Sequence, residues 1–196
     1  MDKIGADFYM SYDSILTRLS NKAVAIQLPI GAESTFSGVI DLITKKAYKF
    51  EGNMGMDIVE FAIPADMKDK VEEYRAKMVE KISEATDELT NKYLNGEELT
   101  EDEIKKGMRI LTIKSEIYPV LCGSALSNIG VQKMLDAVVA YLPSPLDVPF
   151  IQAHDPNDLE KIIEVRASDD EPFTALAFKI ATDPYVGKLA FIRVYS

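Results

Sequence analysis

Residues 117–149, IYPVLCGSALSNIGVQKMLDAVVAYLPSPLDVP, decide how this chain folds. The first six form a short apolar run that stops at Gly123, as a buried strand does before a loop. Beyond the loop, Val131, Met134, Leu135, Val138 and Leu142 recur at the spacing of one helix face. Strand, loop and helix in that order make an α/β unit. Pro143, Pro145 and Pro149 then punctuate a stretch that reads as a linker over residues 143–149. Within the loop, Gly123, Ser124, Ala125 and Leu126 are small enough at the start for backbone N–H groups to approach a planar ligand closely. An ordinary strand-to-helix turn has the same composition.

Upstream, Val71, Tyr74, Met78, Ile82, Ala85, Leu89 and Tyr93 recur at spacings of three and four after Pro64, which predicts one helix over about 64–94, ended by Gly96. Thr100 and Glu103 form a capping-box pattern that starts another, with Ile104, Met108 and Leu111 on one side. Earlier still, residues 7–19 suit a short amphipathic helix, and residues 23–30 and 38–50 each read as a strand. Downstream, residues 173–180 and 188–195 read as two strands around a turn with Asp183, Pro184 and Gly187. Two such strands normally pair into a larger sheet, so this end reads as truncated.

The 196 residues, 47% of them hydrophobic, suffice for a real core. A formal charge of -10 opposes a mainly phosphate-driven grip on nucleic acid. The single cysteine, Cys122, excludes an internal disulfide framework, and no Cys or His spacing suggests a metal site. No apolar run approaches the roughly 20 residues that span a bilayer, and a cytoplasmic setting is expected. His154, in the polar stretch HDPND, reads as a surface-loop residue. Asp169, Asp170 and Glu171 read as a solvated turn, since no partner motif supports acid–base work there. No residue is singled out as catalytic or as a metal ligand.

More specific is MDKIGADF at residues 1–8, which resembles the end of the Asn-Lys-Met-Asp guanine-recognition motif and its sequel in elongation factor G, the bacterial translocation GTPase. The resemblance runs on through QLPIGAE at 27–33, GVIDL at 38–42, IPADM at 63–67, KYLNGEELTEDEI at 92–104 and residues 122–149, and reaches the strands at 168–196. It implies that residues 1–22 and 116–146 are the end of a P-loop GTPase domain of α/β type. Residues 23–115 would be its α+β inserted subdomain, and residues 147–196 a linker and the first strands of a β-barrel domain. The Asn and Lys of the motif would lie upstream of Met1.

By this resemblance Asp2 binds the guanine edge, while the backbone around Ser124, Ala125 and Leu126 meets the base oxygen. A carboxylate suits the first role, because it accepts from both the ring N–H and the exocyclic amine of guanine. The intact protein would use GTP or GDP with Mg2+ to drive movement of tRNA and mRNA through the ribosome, with a role in ribosome recycling and with contacts to rRNA. No GxxxxGK[ST] sequence occurs, so this chain is expected neither to hydrolyse GTP alone nor to hold it tightly.

Glu73, Glu80, Glu84 and Asp87 follow helical spacings on the outward side of the predicted 64–94 helix. Their mutual repulsion does not serve the helix. The resemblance aligns Glu80, Glu84 and Asp87 with an acidic face that meets the C-terminal domain of the ribosomal stalk protein. A self-contained acidic protein-binding module, or another translational GTPase such as a ribosomal protection factor, shares parts of these features.

Overall fold

The computed structural model describes residues 1–148, 150–155 and 157–196; Pro149, one of the residues that punctuate the expected linker, lies outside them. The described residues form a mixed α/β structure of five α-helices and four small sheets. They divide into two units, Met1–Leu142 and Pro143–Ser196. No helix among them is long and apolar enough to cross a membrane.

In chain order the first unit contains α1 (Phe8–Arg18), β1 (Ala23–Ala25), β2 (Gln27–Ile30), β3 (Gly38–Asp41), β4 (Lys46–Glu51), β5 (Asp57–Phe61), α2 (Lys68–Ser83), α3 (Asp87–Leu94), α4 (Glu101–Ile113), β6 (Tyr118–Val120) and α5 (Val131–Tyr141). Strands β2, β3, β4 and β5 form one antiparallel sheet in that order, and β1 pairs in parallel with β6. Leu28, Val39, Ile40, Met78, Ile104 and Met108 are fully buried and join sheet and helices in one core.

Three expected elements are divided. Residues 23–30 serve two sheets, because the Ile26 N–H donates to Val120 O while Ile26 O accepts from Leu42 N, each at 3.0 Å. Ala23–Ala25, at the start of the segment expected as an insertion, pair with β6, which follows that segment. The run at 38–50 folds back on itself as β3 and β4. Asp41 Oδ1 causes this by accepting from the backbone N–H groups of Ile43 (2.8 Å) and Thr44 (3.1 Å), which offers the chain a turn in place of a ladder.

The predicted 64–94 helix is interrupted after Ser83. Thr86 lies in the extended region, and its hydroxyl accepts from Leu89 N, capping a new helix whose first turn carries Asp87 and Glu88. Ala85 and Leu89 stay buried across the break, so the apolar stripe is served by two helices. At α4 the capping box is present, with Thr100 N donating to Glu103 Oε2 at 2.9 Å and Glu103 N to Thr100 Oγ1 at 3.3 Å.

The second unit consists of β7 (Ile151–Asp155), β8 (Asp158–Val165), β9 (Ala175–Asp183) and β10 (Gly187–Val194), paired as two antiparallel hairpins. His154 sits on β7 rather than in a loop, with Nδ1 2.7 Å from Leu159 O. Asp169, Asp170 and Glu171 are exposed in the turn region before β9.

Candidate functional site

The loop after β6 is shaped by its own backbone. Ser124 N donates to Ile129 O and Ile129 N to Ser124 O, both at 2.9 Å, closing the intervening residues into a tight turn. Asn128 takes the left-handed conformation (φ 53°) that asparagine tolerates. Gly130 follows at φ 81°, where a Cβ would lie 2.9 Å from Cys122 O, so the entry to α5 requires glycine.

Asp2 reaches this loop from the far end of the unit. The Met1 amino group donates to Gly123 O at 2.7 Å. The Ser127 hydroxyl donates to Asp2 Oδ2 at 3.3 Å, across 125 residues of sequence. The Ser124 hydroxyl beside it holds the Asp2 carboxyl below the usual carboxylate range; desolvation opposes this, and Ser127 reinforces it. The Asp2 carboxyl thus sits between the two serine hydroxyls at the mouth of the loop. Ser124 is buried, whereas Ala125 and Leu126 are exposed beside it. Neighbouring Cys122 offers no nucleophile, since burial pushes its thiol up to about 12.

The acidic residues occupy three different structural settings. Glu80 lies on α2, Glu84 is the residue that caps the C-terminus of α2, and Asp87 is the first residue of α3. All three are exposed. Glu84 pairs with Lys81, and Glu73 pairs with Lys77 at 2.6 Å, so part of the repulsion is relieved within the helix. Asp87 also complements the positive end of α3. One continuous acidic helix face is thus replaced by a patch at the junction of two helices.

No family model matches this chain. A solved structure does. The crystal structure of ttk003000868 from Thermus thermophilus is similar over 97% of this chain, at 28% sequence identity and a TM-score of 0.75. The two share a fold, and this chain spans 26% of the length of that Thermus chain.

The structure brings Asp2 together with the Ser124 loop. Neither a GxxxxGK[ST] segment nor, among the described residues, a group of three or more His, Cys, Asp or Glu side chains fit for a metal is present. Sequence reasoning missed Ser127, which touches Asp2, and Asn128, which shapes the turn. The Ser-Asn pair before Gly130 is a turn signal that would have drawn attention to both.

Proposed function

We propose that this chain is a segment of a translational GTPase of the elongation factor G kind, in which it recognises the guanine base and presents an acidic surface to the ribosomal stalk. The observation that carries the reading is the meeting of Asp2 with the Ser124 loop, joined at Met1 and Gly123 across 122 residues. Those two segments are the ones that carry the resemblance to the guanine motifs. Asp2 accepts from the ring N–H and exocyclic amine of guanine, a donor pair that adenine does not present. The Ser124 N–H is taken by Ile129 O, so the backbone N–H groups of Ala125 and Leu126 are the ones that meet the base oxygen. GTP hydrolysis, with Mg2+, belongs to parts of the longer protein that contain the phosphate loop. There it drives tRNA and mRNA movement on cytoplasmic ribosomes.

The acidic patch acts in recruitment. Exposed charges add little affinity but accelerate encounter with a basic partner, which suits repeated visits to a ribosome.

The decisive test uses the full-length protein that carries this chain. Asp2→Asn exchanges an acceptor for a donor and should shift preference from GDP to xanthosine diphosphate by at least tenfold. Wild-type protein that ignores GDP at micromolar concentration would sink the reading. If it still bound the stalk domain, the acidic binding module would be the better account.

A further inference from the structure

Both walls of the Asp2–Ser124 site are held by the segment that lies between them in sequence. On the Asp2 side, Glu33 N donates to Met1 O at 2.9 Å, and the Glu33 carboxylate accepts from Gly5 N at 2.6 Å. On the loop side, the Asn128 side-chain amide donates to Met54 O at 2.8 Å, and the Gln132 amide donates to Gly55 O at 3.0 Å. A Cβ at Gly55 would lie 3.1 Å from Ser127 O and 3.2 Å from Asn128 O, so the turn backbone rests directly on the loop.

These two grips belong to one rigid object. Glu33 follows β2, and Met54 and Gly55 form the turn that follows β4. Since β3 is antiparallel to both β2 and β4, the C-terminal ends of β2 and β4 emerge at the same end of the sheet. The separation of the two walls is therefore fixed by a sheet whose core side chains are fully buried. Glu33 (φ 51°), Met54 (φ 55°) and Asn128 (φ 53°) all adopt the left-handed backbone region at these contacts. Asparagine tolerates it, whereas for Glu33 and Met54 it is an uncommon conformation.

We propose that Glu33, Asn128 and Gln132 are positioning residues through which the inserted sheet sets the distance between Asp2 and the Ser124 loop, and so tunes affinity for the base. The proposal rests on the base-site reading above. It assigns the insertion a role inside the nucleotide site in addition to its outward acidic patch. None of the three residues touches the base; each acts through the backbone it holds.

Amide hydrogen exchange on the chain and GDP affinity of the full-length protein test this together. Glu33→Ala should speed exchange at residues 2–6 at least tenfold, and Glu33→Gln, which keeps the acceptor, should restore it. Asn128→Asp with Gln132→Glu, which removes both donors at nearly constant shape, should do the same at residues 123–130. Amides 104–112 of α4 serve as the control and should not change. In the full-length protein, Glu33→Ala and the double variant should each weaken GDP about tenfold, and Glu33→Gln should not. Unchanged exchange in the variants overturns the proposal directly. Faster exchange with unchanged GDP affinity also overturns it, because the spacing of the walls would then not tune affinity for the base; failure of the base-site reading itself would show instead as a parent protein that does not bind GDP.

Discussion

Residues Met1–Leu142 and Pro143–Ser196 both contain well-paired strands, yet only the first unit closes over them. In the first, α2 and α4 pack beside the strands and Met78, Ile104 and Met108 reach zero exposure. In the second, Phe178 is 63% and Ile180 75% exposed, and Val165 is the one buried apolar residue among those described. Hydrogen-bonded ladders alone therefore do not make a core. A sheet needs a second layer, and among the described residues of the second unit the hairpins leave apolar side chains such as Phe178 and Ile180 exposed.

The largest expected effect separates the units most directly. Met108→Ala removes a fully buried side chain and should cost about 2–5 kcal/mol in urea unfolding, through lost burial and the cavity left behind. Phe178→Ala, on the open hairpin, should cost less than about 0.5 kcal/mol. Equal losses would mean that the second unit's apolar faces are covered in solution and would erase the contrast.

Next in size is the entry to α4. Thr100→Ala removes one half of the capping box and should cost about 1 kcal/mol in the same measurement. Glu103, the other half, is bonded to Lys92 and to Thr100, and these bonds hold its carboxyl down at about 2. A depressed folded-state value means that the contribution is complete above the unfolded value near 4.5 and fades as pH falls toward 2. NMR titration of the Glu103 carboxyl should show this, and Lys92→Met should move its midpoint upward. A midpoint near 4.5 in the parent protein would refute the coupling.

What was legible in the sequence follows the same division of labour. The capping box, the strand-loop-helix unit after Ile117 and the two C-terminal strands could be read because each is signalled by neighbouring residues. The split of residues 23–30 could not, since Ile26 bonds Val120 and Leu42, both remote in sequence. The break after Ser83 was hidden because Ala85 and Leu89 keep the apolar period while Thr86 interrupts the backbone. Strand β5 went unseen for the opposite reason: most of it is exposed at a sheet edge, so it carries no alternating apolar pattern. At the candidate site, the Ser124 loop could be read from its small residues and Asp2 through resemblance; Ser127 stood in a local turn signal, while Glu33 and Gln132 contribute through contacts that no local pattern encodes.

A smaller effect probes the site without disturbing the core. Ser124→Ala removes the hydroxyl that chiefly lowers the Asp2 carboxyl, so the Asp2 midpoint should rise toward the ordinary value in an NMR pH titration. The fold should persist, because the Ser124 backbone bonds to Ile129 do not involve the hydroxyl. An unmoved midpoint would mean that the Ser124 hydroxyl is not what lowers the Asp2 carboxyl.

The smallest change in stability is expected at the helix junction, and there the smallness is the point. Reversing Glu80, Glu84 and Asp87 to Lys alters three exposed side chains, and surface changes away from buried contacts generally fall within about 0.5 kcal/mol each. Some cost is expected, because Glu84 loses Lys81 and a lysine at position 87 opposes the positive end of α3. Chemical-shift changes in the ribosomal stalk domain on titration should nevertheless disappear, and the parent's binding should weaken as salt rises. Binding that survives the triple reversal would remove the acidic patch from the proposed function and leave the base site to stand alone. Loss of binding at unchanged stability would place the recruitment surface at the junction of α2 and α3, on the same unit whose sheet holds Asp2 against the Ser124 loop.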